Sequence, residues 1–194
     1  MIETFRILAE QICEAGRRLY LHNLVAGSDG NISARLPDGM LLITPTGVSK
    51  GYMDPDQLTI LDENGKWLAG APASSELKMH RAIYAARPDI SAIIHAHPPT
   101  AIAWSLHFPT FEKTLSLLPE AEYALQNLSL APFAPLGSET LARGAATAAQ
   151  NTNTILLERH GAVTLGKDIF GALFRMESLE HCASIALANH RIAL

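Results

Sequence analysis

Apolar positions along the chain recur with the periods of helices and strands, and these periods predict most of the secondary structure. Phe5, Leu8, Ile12 and Leu19 follow helical spacing, which predicts a helix over residues 2–24. Short apolar runs on either side of Pro-Asp-Gly and Asn-Gly turns are typical of β-hairpins. The two predicted hairpins pair residues 32–36 with 40–44 and residues 58–61 with 66–68.

The rest of the chain alternates between helical and extended patterns, apart from one stretch that is hard to assign. The pattern predicts helices over 75–87, from 98 onward, over 138–149 and over 168–190, and strands over 90–97, 128–133, 154–158 and 162–165. Residues 108–136 contain prolines and small residues that break the pattern, and only the strand at 128–133 is predicted there. Because strands and helices are interspersed, we expect one α/β domain over 1–194, with a mixed sheet and helices on both faces.

Composition and charge exclude several classes of function. The 194 residues are 48% hydrophobic and 18% charged, as in a globular protein, and the formal net charge is −4. This charge offers no basic surface for nucleic acid. The sequence has no run of 18 apolar residues and no signal-peptide pattern, so we expect a cytoplasmic protein that binds no membrane. Cys13 and Cys182 are isolated and form neither a disulfide pattern nor a cysteine-type zinc pattern.

A His-x-His sequence at the end of a predicted strand is the clearest candidate for a metal site. Side chains at i and i+2 of a strand share a face, so His95 and His97 project in the same direction, about 6–7 Å apart at the backbone. His160 ends another predicted strand, just before Gly161, and is the natural third ligand. Three histidines leave one position of a zinc ion open, as in catalytic sites, where the metal polarises a carbonyl or enolate oxygen.

A catalytic metal also needs a partner for proton transfer, and Glu76 is the leading candidate. The alternative interpretation of Glu76 is a first-turn acid that complements the helix dipole. His80 lies four residues later on the same helix face, where it can orient the carboxylate or a ligand. The remaining histidines, at 22, 107, 181 and 190, are interpreted as ordinary residues. The five lysines, at 50, 66, 78, 113 and 167, fall in polar or turn contexts that argue against Schiff-base chemistry.

Three turns or helix starts are rich in backbone N–H groups and hydroxyls. They are Gly30-Asn31, Thr46-Gly47 and Ser74-Ser75. Ser74-Ser75 opens a predicted helix, whose free N–H groups and dipole favour an anion. Each of these sequences alone is typical of an ordinary turn, but together they could hold a phosphate without any lysine.

Five motifs, in order and spacing, resemble those of the class II aldolase/adducin family, whose enzymes include L-fuculose-1-phosphate aldolases. The motifs are Gly30-Asn31-Ile32-Ser33, Ile43-Thr44-Pro45-Thr46-Gly47, Ser74-Ser75-Glu76 with His80, His95-Ala96-His97-Pro98, and Glu158-Arg159-His160-Gly161. The resemblance extends from about residue 8 to 188. It implies a three-layer α/β/α fold with a mixed, mainly antiparallel sheet, assembled as a C4 homotetramer with active sites at subunit interfaces.

The resemblance also implies roles for individual residues. His95, His97 and His160 would bind one zinc ion, or another divalent metal, per subunit, and Glu76 would be the acid/base and a fourth ligand in the absence of substrate. The substrate phosphate would be held by Gly30, Asn31, Thr46, Gly47, Ser74 and Ser75. The implied reaction is cleavage of a ketose 1-phosphate to dihydroxyacetone phosphate and an aldehyde, through a metal-stabilised enediolate.

Other activities of the same family remain open alternatives. They are decarboxylation of a 3-oxo-tetronate phosphate, dehydration, 4-epimerisation and a non-catalytic adducin-like scaffold. The family's epimerases usually have Asp where Glu76 stands, and its decarboxylase-like members often lack the serine at Ser75. Adducin-like domains tend to lose the histidines. Where the family's aldolases have a catalytic tyrosine, near 116–122, this chain offers Glu120 as the polar group, and Tyr123 does not align with that tyrosine.

Overall fold

The order of strands in the sheet follows from the hairpins in the first part of the chain and from the alternation of strands and helices in the rest of it. In the computed structural model, which describes residues 2–192, eight strands form one sheet in the order β4-β3-β2-β1-β5-β8-β7-β6. The strands are β1 (Asn31–Arg35), β2 (Leu41–Ile43), β3 (Thr59–Leu61), β4 (Trp67–Ala69), β5 (Ala92–Ala96), β6 (Leu128–Ala131), β7 (Thr154–Leu157) and β8 (Gly161–Gly166). The helices are α1 (Ile2–Leu21), α2 (Leu77–Ala86), α3 (Pro99–Ser105), α4 (Phe108–Leu115), α5 (Pro119–Leu125), α6 (Glu139–Ala148) and α7 (Ile169–Ile192).

The sheet is mixed and mainly antiparallel, as the family resemblance implies. Only β6 and β7, among the described strands, pair in parallel. The central strand β5 lies between β1 and β8, with His95 opposite Asn31 on one side and Val163 on the other. The start of β1, the end of β5 and the start of β8 therefore meet at one end of the sheet.

Helices cover both faces of the sheet because successive strand side chains point to opposite faces. Ile94 packs with α1, α3, α4, α5 and α7 in one buried cluster, whereas Ile93 packs with α2 and α6 in the other. This arrangement confirms the predicted three-layer α/β/α fold. His95 follows Ile93 by two residues and so shares the α2 side of the sheet.

The predictions fail between residues 108 and 136, where the structure contains two helices that the sequence reading missed. Pro109 lies in the first turn of α4, and Pro119 begins α5. Proline is favoured at the first helical position because its missing N–H is unpaired there in any helix. These prolines therefore start helices, although they were read as breaks. The predicted strand at 128–133 is also shorter, since β6 ends at Ala131, immediately before Pro132.

Two further boundaries differ from the predictions. The helix expected from residue 75 begins at Leu77, with Glu76 as its N-cap residue. The helix expected over 2–24 ends at Leu21. Within residues 2–192, none of the helices has both the length and the apolar character that a bilayer crossing requires.

Candidate active site

Three imidazole rings converge at the end of the sheet where β1, β5 and β8 meet. His95 is on β5, His97 follows that strand, and His160 immediately precedes β8. The ring centroids are 4.8–5.2 Å apart, and one nitrogen from each ring lies within 4.8 Å of the others. The structure therefore brings together the three histidines that the sequence predicts as metal ligands.

Two glycines allow this convergence. A Cβ atom on Gly161 would lie 2.5 Å from the Ala96 carbonyl oxygen, 2.8 Å from His95 Cε1 and 2.9 Å from His97 Cδ2. Gly30 has φ +71°, and its Cβ would lie 2.7 Å from the His95 carbonyl oxygen. Any larger side chain at either position would push the rings or their strand out of place.

Hydrogen bonds fix which ring nitrogen two of the histidines present to the centre. His95 Nδ1 is 3.0 Å from the Ala162 carbonyl oxygen, to which it donates, and His97 Nδ1 is 3.3 Å from Asp29 Oδ2. Each ring therefore carries its proton on Nδ1 and aims a lone pair from Nε2. The two Nε2 atoms are 3.1 Å apart. Nitrogens about 2.0–2.1 Å from one tetrahedral zinc are separated by about 3.3 Å, so this pair fits a shared metal ion.

His160 is the third imidazole, and burial favours the neutral form of both His160 and His97. Burial, assisted by the charge on His95, lowers the pKa of His160 to about 4. Burial likewise lowers the pKa of His97. Both rings are therefore neutral near pH 7, which is the form that coordinates a metal. His160 Nδ1 is buried and has no hydrogen-bond partner among the described residues.

Glu76 faces the histidines from the start of α2. Its Oε2 is 3.1 Å from His95 Nε2, and its Oε1 is 3.7 Å from His160 Nε2. Within the described structure its side chain makes no cap hydrogen bond to α2, so the interpretation of Glu76 as a simple helix-dipole acid fits the geometry poorly. Since carboxylate oxygens and imidazole lone pairs are all acceptors, their convergence suits a cation placed among them, either a metal ion or a proton on His95.

The pKa of Glu76 reflects competing causes. Burial acts to raise this pKa, but when His95 is protonated, its charge and a hydrogen bond from its Nε2 oppose this effect. A hydrogen bond from Asn31 and the charge of His160 lower the pKa further. The net result is a pKa well below the usual range, so Glu76 stays a carboxylate beside the rings.

A buried chain of hydrogen bonds holds Glu76 in this orientation. Asn31 Nδ2 donates to Glu76 Oε2 at 2.9 Å, and Asn31 Oδ1 is 2.6 Å from His80 Nε2. Because the amide oxygen only accepts, His80 must carry its proton on Nε2, and its Nδ1 must accept from Ser33 Oγ, 2.6 Å away. The hydroxyl of Tyr84 lies 3.0 Å from Ser33 Oγ and also within donating distance of the Ser33 carbonyl oxygen, at 3.2 Å. Burial lowers the pKa of His80 to about 3, which keeps the neutral form that this chain of bonds requires.

A small open cavity lies beside Glu76 and the rings of His97 and His160, and it collects the three turns rich in donors. All six residues predicted to hold a phosphate line it: Gly30, Asn31, Thr46, Gly47, Ser74 and Ser75. The cavity also contains residues that sequence reasoning missed, namely Ser28, Asp29, Pro45, Lys50 and Leu136. Glu120, the polar group that the sequence offers near the position of the family's tyrosine, lies on α5 and does not line this cavity.

Lys50 corrects two sequence-based statements. It is only 1% exposed, so although it lies in a turn, it is buried, which the polar or turn context of the five lysines did not predict. It also lines a cavity for which we expected no lysine. The signal that the sequence offered is the glycine that follows Lys50. In the structure, a Cβ on Gly51 would clash with the ring of Tyr20. That clash shows that this turn packs tightly against α1, which no local pattern reveals.

Comparisons with known proteins agree with the fold and show the family. The family described as Class II Aldolase and Adducin N-terminal domain matches residues 10–187, and the chain belongs to this family. An L-fuculose phosphate aldolase from Methanococcus maripaludis is 39% identical over 171 residues, which are 87% of this chain and 90% of that protein. A 3-oxo-tetronate 4-phosphate decarboxylase from Cupriavidus necator is 35% identical over 180 residues, 92% of this chain and 82% of the relative.

A solved structure gives the same architecture. The sugar-phosphate aldolase from Thermotoga maritima superposes with a TM-score of 0.88 at 27% identity, and the match covers 97% of both chains. The curated relatives include aldolases and decarboxylases. Membership of the family therefore does not determine which bond of a substrate this protein cleaves.

Proposed function

We propose that this protein is a metal-dependent aldolase that cleaves a ketose 1-phosphate to dihydroxyacetone phosphate and an aldehyde. The observation that carries the proposal is the convergence at one site of three imidazoles, the Glu76 carboxylate and three turns rich in donors. The adducin-like scaffold has less support, because Glu76 and all three histidines are present and oriented by their neighbours.

The three turns would bind the substrate phosphate. Backbone N–H groups near Gly30 and Gly47 and the hydroxyls of Ser74 and Ser75 are donors that suit phosphate oxygens. Holding this end of the ketose fixes its carbonyl and neighbouring hydroxyl relative to the histidines. Such positioning is a large part of the rate enhancement in reactions of this kind.

His95, His97 and His160 would hold the metal ion, and a set of three nitrogen ligands suits zinc. When bound, a divalent cation supplies Lewis-acid stabilisation for negative charge that develops on the substrate oxygens. Asp29 and the Ala162 carbonyl keep the coordinating nitrogens of His97 and His95 unprotonated.

Glu76 would move the proton that the reaction requires at carbon. After the bond between C3 and C4 breaks, C3 must gain a proton to give dihydroxyacetone phosphate. The hydroxyl at C4 loses a proton as the aldehyde forms, so the Glu76 carboxylate would take up that proton and deliver it to C3, and the two transfers would run backwards in the condensation direction. The hydrogen bond from the Asn31 amide keeps Glu76 Oε2 directed at the imidazoles and away from the residues that precede α2.

Decarboxylation of a 3-oxo-tetronate 4-phosphate is the second candidate, because a relative with that name is 35% identical. Loss of the carboxyl group from such a four-carbon acid also leaves dihydroxyacetone phosphate, with carbon dioxide in place of the aldehyde. The two reactions therefore need the same phosphate cradle, metal and acid/base group. Ser75, which decarboxylase-like members often lack, favours the aldolase.

We also propose a cytoplasmic homotetramer with active sites at the subunit interfaces. Large apolar side chains near the site are exposed in the single chain, in keeping with a partner that covers them. Leu136 lines the cavity and is 71% exposed, and Phe133 is 54% exposed. Sedimentation of the purified protein tests this assembly, and a monomer at micromolar concentration would contradict it.

The test of the activity is a panel of substrates supplied to the zinc-loaded protein. We expect L-fuculose, L-ribulose or 5-deoxyribulose 1-phosphate to yield dihydroxyacetone phosphate, with about one metal ion per chain. His95→Ala should lose both the metal and the activity, whereas His107→Ala, at an exposed position on the surface, should keep both. Release of carbon dioxide from 3-oxo-tetronate 4-phosphate, with no ketose 1-phosphate cleaved, would replace the aldolase with the decarboxylase.

A further inference from the structure

Lys50 is a charged residue buried beside the candidate active site and not used in the proposed chemistry. It begins a short 3-10 turn, Lys50–Tyr52, that follows the turn at Thr46-Gly47. Its ammonium group donates to the carbonyl oxygen of Ser28 at 3.1 Å and to that of Val48. One side chain thus joins the turn before β1 to the turn after β2.

The location of Lys50 suggests what its charge acts on. Among the residues described around the cavity, Lys50 is the one lysine or arginine. Asp29, which also lines the cavity, carries the opposite charge close to Lys50 and contacts His97 through Oδ2. A phosphate that enters the cavity would meet the Asp29 carboxylate, and the ammonium of Lys50 offsets that repulsion.

Burying an ammonium group is unfavourable, so its retention calls for a compensating gain. Burial lowers the pKa of Lys50 to about 8, partly offset by Asp29, and the group stays mainly protonated at neutral pH. Two carbonyl oxygens satisfy two of its three N–H bonds. The remaining donors of the cavity are neutral N–H groups and hydroxyls, which bind a dianion more weakly than a charged donor does.

We propose that Lys50 is a positioning and charge-selecting residue for the phosphate end of the substrate. It fixes the turn at Ser28 and the turn at Val48 relative to each other, and it supplies positive charge behind them. Its side chain is buried and bonded to two carbonyls, so it acts through the turns and does not form a Schiff base. This inference rests on the proposed phosphate cradle.

The test compares zinc-loaded wild-type protein with Lys50→Met and Lys50→Gln. Lys66→Met is the matched control, since Lys66 is an exposed lysine in the β3–β4 hairpin. We expect the Kd for inorganic phosphate, measured by calorimetry, to rise about tenfold or more in both Lys50 variants. We expect KM for the phosphorylated ketose to rise by a similar factor, while kcat changes less than about threefold. The metal content should stay unchanged.

Lys50→Gln separates the loss of charge from a loss of folding. Its amide can still donate to the two carbonyl oxygens, so this variant can be measured even if Lys50→Met does not fold. An unchanged Kd for phosphate in the Lys50 variants would overturn the inference and leave the proposed function intact. Loss of metal and phosphate together in both variants would make Lys50 a structural residue only, which also overturns it. A wild-type protein that neither binds phosphate nor cleaves a ketose 1-phosphate would refute the cradle and this inference with it.

Discussion

The ring of His80 holds the side-chain amide of Asn31 in one of its two possible orientations. His80 Nε2 donates to Asn31 Oδ1 at 2.6 Å, so the amide nitrogen is left to face Glu76 Oε2 at 2.9 Å. If the amide turned over, two acceptor oxygens would face each other at this contact. A fully buried histidine outside the three-histidine group therefore sets the donor that reaches the acid/base group.

Replacing His80 with leucine should lower activity without removing the metal. Asn31 would lose its fixed orientation, and Glu76 would lose a reliable donor, so we expect kcat to fall about 10- to 100-fold. Metal analysis and steady-state kinetics measure the two effects. His181→Leu is the control, since His181 is exposed on α7, and it should behave as wild type. Full activity in His80→Leu would show that the amide keeps its orientation without His80.

His80 also predicts how stability depends on pH. Burial lowers its pKa to about 3, from about 6.5 in the unfolded chain, so below pH 6.5 the unfolded state binds a proton that the native state does not. The free energy of unfolding should therefore decrease as the pH falls from 6.5 towards 3. In the presence of a chelator, we expect the wild-type slope between pH 6 and 4 to exceed that of His80→Leu by up to about 1.4 kcal/mol per pH unit.

Denaturant unfolding at several pH values measures this difference. The control is again His181→Leu, whose slope should match that of the wild type. Equal slopes in wild type and His80→Leu would mean that His80 is protonated in the native state, and the tautomer derived for the Asn31 contact would then be wrong.

Glu76→Gln should separate binding from proton transfer. Glutamine has nearly the same shape but cannot give or take the proton, so kcat should fall about 10²–10⁴-fold. Inorganic phosphate should still bind, because the cradle consists of other groups. Single-turnover kinetics and phosphate calorimetry test both statements. Unchanged kcat would remove Glu76 from the chemistry.

The sequence was sufficient to predict the parts of the site that depend on local spacing. His95 and His97 share a strand face whatever the rest of the fold does, and Glu76 lies within one helical turn of His80. Lys50 and Asp29 were missed because their importance depends on contacts between segments far apart in the chain. The helices α4 and α5 were missed for a different and local reason, because their prolines lie in the first helical turn, where proline is favoured, and do not interrupt a helix there.

Gly161 offers the most direct test of the convergent geometry at the metal site. The Cβ of Gly161→Ala would lie 2.5 Å from the Ala96 carbonyl oxygen and within 3 Å of both His95 and His97. Because backbone and buried rings cannot move aside cheaply, we expect a loss of at least about 2 kcal/mol in the free energy of unfolding and a clear decrease in metal affinity.

The matched control is Gly144→Ala, in α6. A Cβ at Gly144 has no atom of the described residues within 4 Å, and alanine is the better helix former, so this variant should gain about 0.5–1 kcal/mol. Zinc titration should give the wild-type affinity for Gly144→Ala and a weaker one for Gly161→Ala. If Gly161→Ala bound zinc as the wild type does, the three rings could not be as tightly packed around the start of β8 as the structure has them.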